Sequence, residues 1–133
     1  MTDLRKYAWF QLAVAALAAL AVLGILAITK NAMASLAGFS VMALTGFHAL
    51  ISSSARRRPI QDERDEAIQH RAMTAGYAAL WVLLVAWGVG TSLAFASEGT
   101  VPLVYVAPLV LVGWWLMTSI RSIAILVLDS RGS

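Results

Sequence analysis

Apolar and polar residues fall along this chain in long blocks, not in the short periods of an amphipathic helix or strand. Residues 7–29 (YAWFQLAVAALAALAVLGILAIT) carry no charge. At about 1.5 Å per residue, that run reaches about 34 Å, enough to cross a hydrocarbon core of about 30 Å. A second apolar block, 33–53, holds one ionisable residue, His48. Then comes the only long polar segment, 54–72 (SARRRPIQDERDEAIQHRA), followed by apolar blocks at 73–96 and about 101–120. The pattern predicts an all-α fold: a single domain, 1–133, built as a four-helix transmembrane bundle.

Local signals sharpen the breaks. Lys30-Asn31 is a short turn. Pro59 ends any helix arriving from the second block, and Asp62, Glu63, Asp65 and Glu66 then crowd a first turn, where a helix dipole favours acids. The expectation is a helix from about residue 60 that runs unbroken into the third span and extends into the cytoplasm. Ser97-Glu98-Gly99-Thr100 reads as a tight external turn. Pro102 suits the first turn of the fourth helix, and Pro108, placed deeper, predicts a kink. A signal peptide competes for the first block, since Arg5 and Lys6 precede it and Ala32-Met33-Ala34 resembles a cleavage site. Signal cores run only about 7–15 residues, so the longer run predicts a retained helix.

Composition agrees with the block pattern. The chain is 60% hydrophobic and 13% charged, against about a quarter charged for a soluble domain. Arg5, Lys6, Arg56, Arg57, Arg58, Arg64, Arg71, Arg121 and Arg131 fall on one side of the predicted spans and only Lys30 on the other. This bias puts both termini and the polar loop in the cytoplasm, with the protein in the cell inner (plasma) membrane. The same bias explains the net charge of +3 without a nucleic-acid partner. With no cysteine, disulfides, thiol catalysis and Cys-type metal sites are excluded.

Chemistry-bearing residues are few. On the loop helix, neighbours lie three and four apart. Asp62 therefore faces Asp65 and Glu66, while Arg64 and Arg71 find no acid at those spacings. The expectation is that these charges pair elsewhere, with Arg5, Lys6, Arg121, Arg131 or another protomer; the bland alternative is a solvated, screened face. Asp62, Glu66 and His70 line one strip, yet a metal site draws ligands from several elements, and no metal site is expected. His48, inside an apolar block, is a candidate for a polar path, a proton relay or haem ligation, set against a neutral His hydrogen-bonded to a neighbouring helix. Arg121, where the fourth block should leave the membrane, either snorkels or meets an acid. Ala15/Ala19, Ala34/Gly38 and Ala86/Gly90 are small-residue pairs that permit close helix packing. A faint repeat relates LTGFHALISS (44–53) to LVGWWLMTS (111–119). No protease, esterase or phosphate-loop motif is present, so no enzyme and no cofactor is expected.

Residues 62–72, DERDEAIQHRA, resemble the signature of a family of small prokaryotic four-span membrane proteins catalogued as DUF2178. The resemblance covers the whole chain: two spans, a DERD loop running into a third, a fourth span and a short tail, here Asp129-Ser-Arg-Gly132. It implies that Asp62, Glu63, Arg64, Asp65 and Ile68 form a shared core, and it implies no activity. The leading expectation is a non-enzymatic protein that assembles as a homo-oligomer or partner subunit through its charged helix. The alternatives are a small transporter or channel with a path at His48 and Arg121, and a haem- or quinone-binding electron carrier.

Overall fold

The computed structural model describes residues 3–45 and 63–132, and among these the chain is helical with no strand. Helix α1 spans Asp3–Thr29, α2 Ala32–Ser35 and a 3-10 helix Leu36–Ala43. Helix α3 then spans Glu63–Ala94, a 3-10 turn covers Leu103–Tyr105, and α4 runs Val106–Arg131. Three of these helices are long and apolar enough to cross a membrane, while Ala32–Ala43 is shorter. The remainder of the second apolar block, with His48, lies outside the described residues, as do Pro59 and Asp62.

Helix α4 is the centre of the packing, with α1 and α3 against it. On α1, Leu4, Ala8, Gln11, Ala15 and Ala18 are buried. On α4, Thr118, Ser122, Ile125 and Asp129 are buried, and Trp115 continues the stripe half-buried. Both stripes step alternately by three and four, the spacing that keeps one seam of a helix on its partner. The helices are antiparallel: the Trp115 indole donates to the Ala15 carbonyl at 2.9 Å, Ser122 meets Gln11, and Ile125 joins Leu4 and Ala8. Helix α3 is also antiparallel to α4. Arg64 lies at Asp129, Ile68 and Ala72 pack with Ile125, and Gly76 faces Met117.

The second apolar block packs on α1, and its helix type matches its side chains. Asn31 caps α2, its side-chain oxygen accepting from the Met33 and Ala34 amides at 3.0 and 3.3 Å. The chain then tightens to a 3-10 helix, in which residues three apart eclipse. Leu36, Phe39 and Met42 follow that period; Phe39 and Met42 share a buried cluster with Val14, Ala15 and Ala18, and Leu36 packs against it.

Backbones approach where glycine permits it. A Cβ at Gly38 would come within 2.5 Å of the Val22 amide nitrogen of α1. One at Gly76 would stand 3.1 Å from the Met117 carbonyl, and one at Gly113 2.9 Å from Leu80 Cδ1. Of the small pairs expected from the sequence, Ala15 and Gly38 serve this purpose. Ala86 and Gly90 are exposed, and Gly90 faces open space. The seam of α3 is Ala72 and Gly76 instead.

Helix α4 runs on past Arg121 to Arg131, and Ile125, within SIAILVL (122–128), packs with Ile68 and Ala72. Pro108, the site of the expected kink, falls close to the start of this helix. The helix begins at Val106, which puts Pro108 in the first turn, where an amide has no intrahelical acceptor to lose. The turn at 95–100 is as expected: the Glu98 and Gly99 amides donate to the Phe95 carbonyl at 3.0 and 3.2 Å. Gly99 supplies the positive φ of 68°. The Phe95 and Tyr105 rings, 5.1 Å apart, bridge the two sides of this turn.

Candidate functional site

The charged residues of all three long helices gather at one end of the molecule. The antiparallel pairing sets this: it lays the start of α3 beside the end of α4, and the start of α1 beside both. A helix start carries partial positive charge and a helix end partial negative charge. The residues follow that rule across helices. Glu63, Asp65 and Glu66 occupy the first turn of α3, whereas Arg64 reaches over to the end of α4. Its Nη2 lies 3.9 Å from Asp129 Oδ1 and donates to the Asp129 backbone carbonyl at 3.4 Å. A Cβ at Gly132 would overlap the Arg64 guanidinium. Asp129 is buried and Arg64 half-exposed. One arginine thus stands against both a carboxylate and a terminal carbonyl of the neighbouring helix.

Beneath this clasp sits an apolar plug. Ile68 and Ala72 of α3 meet Leu4 and Ala8 of α1 and Ile125 of α4, all buried. The rest of the expected motif faces outward: Glu63, Glu66, His70 and Arg71 are exposed and Asp65 is half-buried. Among the described residues no group of three or more metal-ligating side chains exists. Asp62 and His48 lie outside the described residues.

A polar seam continues upward between α1 and α4. The Gln11 amide donates to the Tyr7 hydroxyl. The Ser122 hydroxyl lies 3.1 Å from Gln11 Oε1 and 2.8 Å from the Thr118 carbonyl, so its one proton has two acceptors. Arg121 flanks this seam. Its Cβ faces Gly76 of α3, and its Cζ lies 6.0 Å from the centre of the Tyr7 ring of α1. Its Nε is buried without a hydrogen-bond partner. The acid expected opposite Arg121 is absent among the described residues; the face of an aromatic ring takes its place.

The charges are layered. Moving outward from the apolar body, each long helix shows basic residues first: Arg5 and Lys6 on α1, Arg71 on α3, Arg121 on α4. Acids follow, Asp3 on α1, Glu66, Asp65 and Glu63 on α3 and Asp129 on α4, with Arg64 among them and Arg131 beyond. Gln11 and Ser122 did not stand out in the sequence, although Gln11 is the one amide in an otherwise apolar run of 23 residues. Asp129, the last acid of the chain, carried the signal for the Arg64 partner. No protein-family model, curated protein or solved structure matches the chain.

Proposed function

We propose that this chain is a non-enzymatic integral membrane protein of the cell inner membrane. It crosses the bilayer four times, with both termini and the charged helix ends in the cytoplasm. It serves as an assembling subunit, toward a second copy or a membrane partner, through the outward edge of α3. The resemblance to the four-span DERD-loop family belongs to the same proposal.

The observation that carries the reading is the surface of the long helices. Leu20 and Leu23 on α1, Trp81 and Leu93 on α3 and Leu103 before α4 are each more than 60% exposed. Ile28, Val82, Val85 and Val110 are exposed to the same degree. A soluble protein rarely exposes an apolar patch beyond about 600 Å²; a bilayer is the solvent in which such a surface costs nothing. Helix α3, with 32 residues, is about 48 Å long. That exceeds a hydrocarbon core of about 30 Å and leaves its charged start in water. With Arg64 turned inward to Asp129, the exposed Glu63, Glu66 and His70 are the groups left for a partner.

The chain has no cysteine, so single cysteines report topology directly. In intact cells an impermeant maleimide should label Glu98→Cys from outside and Glu66→Cys only after permeabilisation. The opposite pattern would sink the orientation, and recovery of the protein in the soluble fraction would sink the membrane reading. For assembly, Glu63→Lys with Glu66→Lys should lower the native mass in mild detergent; an unchanged oligomer would remove this edge from the account.

The transport reading keeps one supporting observation, the polar seam of Gln11 and Ser122 beside Arg121. Its test is solute flux in liposomes with His48→Ala and Arg121→Gln: flux equal to wild type in both would remove the path.

A further inference from the structure

We propose that the wedge between α1 and α3 over α4 binds one anionic phospholipid, with its phosphate at Arg121 and an acyl chain in the apolar groove beside it. The inference rests on the membrane reading above. Its first support is an arginine without a counter-ion. The guanidinium cannot be neutralised, its Nε is buried with no hydrogen-bond partner, and among the described residues no carboxylate lies within 4 Å of it. The Tyr7 ring supplies attraction to the cation but no acceptor for that buried N–H. Residue Arg121 as a whole keeps partial exposure, and an anion from outside the protein balances its charge there.

The second support is an apolar groove whose last lining residue on α4, Met117, lies one helical turn from this arginine. Leu80 and Leu84 of α3 and Val110, Gly113, Trp114 and Met117 of α4 line a space of about 340 Å³. On α4, Val110, Trp114, Met117 and Arg121 step by four, three and four, so they form one stripe. On α3, Gly76, Leu80 and Leu84 form another, and Gly76 faces Met117 and Arg121 Cβ. The two stripes bound the groove on either side, and Arg121 stands one turn beyond Met117 on the same stripe. An apolar slot followed by one fixed positive charge matches a lipid tail joined to a phosphate. The absence of a Cβ at Gly113 keeps the floor of the slot low, because a methyl there would strike Leu80. The order of charges agrees: on each long helix the charged residue nearest the apolar body is basic, Lys6, Arg71 or Arg121, and the acids start farther along.

The full-length protein is placed in phosphatidylcholine vesicles in which either phosphatidylglycerol or phosphatidylcholine carries brominated acyl chains. Quenching at Trp114 is read as the difference between the wild type and Trp114→Phe. The brominated anionic lipid should quench at a mole fraction about fivefold lower than the neutral one, the preference expected from one basic side chain near the interface. Arg121→Gln should erase most of that preference, and Arg121→Lys should keep part of it. Arg131→Gln, at the exposed tip, should leave it unchanged. Val110→Phe fills the groove without touching the charge, and should weaken quenching by both lipids; it serves where Arg121→Gln does not fold. Equal quenching by the two lipids, or a preference that survives Arg121→Gln, overturns the proposal. Loss of the preference on adding millimolar inorganic phosphate would also overturn it, by placing a soluble anion at Arg121. A protein that does not enter the vesicles overturns the membrane reading itself, whereas one that enters without preference overturns only the lipid site.

Discussion

Arg64 and Gln11 are both polar groups at helix contacts, and their replacement should have different consequences. Arg64 is half-exposed and its pair with Asp129 is long, so solvent screens it. Arg64→Ala should lower stability by about 0.5–1 kcal/mol, measured by thermal unfolding in detergent. Arg64→Asp should cost more, because it sets a second carboxylate against Asp129 and the negative end of α4. Adding Asp129→Arg should recover most of that loss, and a double variant no better than the single one would show that the two residues do not interact. Gln11 is buried, but its removal strands little: Ser122 keeps the Thr118 carbonyl. Gln11→Leu should therefore change stability by less than about 1 kcal/mol. A larger loss would show that the seam acts as one network.

At the scale of elements, the glycines divide by what lies opposite them. Gly38 faces the backbone of α1, which cannot rotate away. Gly38→Ala should cost about 1–3 kcal/mol through overpacking. Gly90 faces open space, and Gly90→Ala should be neutral or stabilise α3 by up to about 1 kcal/mol through helix propensity. The same thermal unfolding reads both, and equal effects would contradict the packing of the second block on α1. The turn between α1 and α2 gives a further contrast. Asn31→Ala removes a cap that holds two amides and should cost about 1 kcal/mol. Lys30 stands at a φ of 51° without being glycine, so Lys30→Gly should be tolerated.

At the scale of the molecule, the charged end works within one chain before it meets any partner. Helix α4 runs past Arg121 to give α3 a surface to pack on, and Ile68, in the middle of the charged motif, is buried there. Truncation after Arg121 removes Ile125 and Asp129 together. It should release the start of α3, seen as faster amide exchange across residues 63–72 while exchange across 80–94 stays slow. Uniform protection would mean that the clasp contributes nothing to local stability.

Much of this architecture is legible in the sequence because its causes are local. Uncharged runs longer than 20 residues, an Asn after a Lys, and a Glu-Gly turn before Pro102 each act through their immediate neighbours, and the long helices and the turn at 95–100 follow them. The poor charge pairing within the DERD helix was also readable by counting threes and fours. The identity of the partner was not, because it depends on which helix end lies alongside. Arg64 meets Asp129, 65 residues away, only because α3 and α4 run antiparallel from a tight turn and α4 is long enough to return to the same level. Small residues are likewise spread along every helix, and sequence alone cannot rank them. Contact between backbones makes Gly38, Gly76 and Gly113 matter and leaves Gly90 facing open space. Local patterning set the helices and their polar ends; the register of one helix against another decided which side chains meet, because that register is a property of packed pairs and not of either strand of sequence.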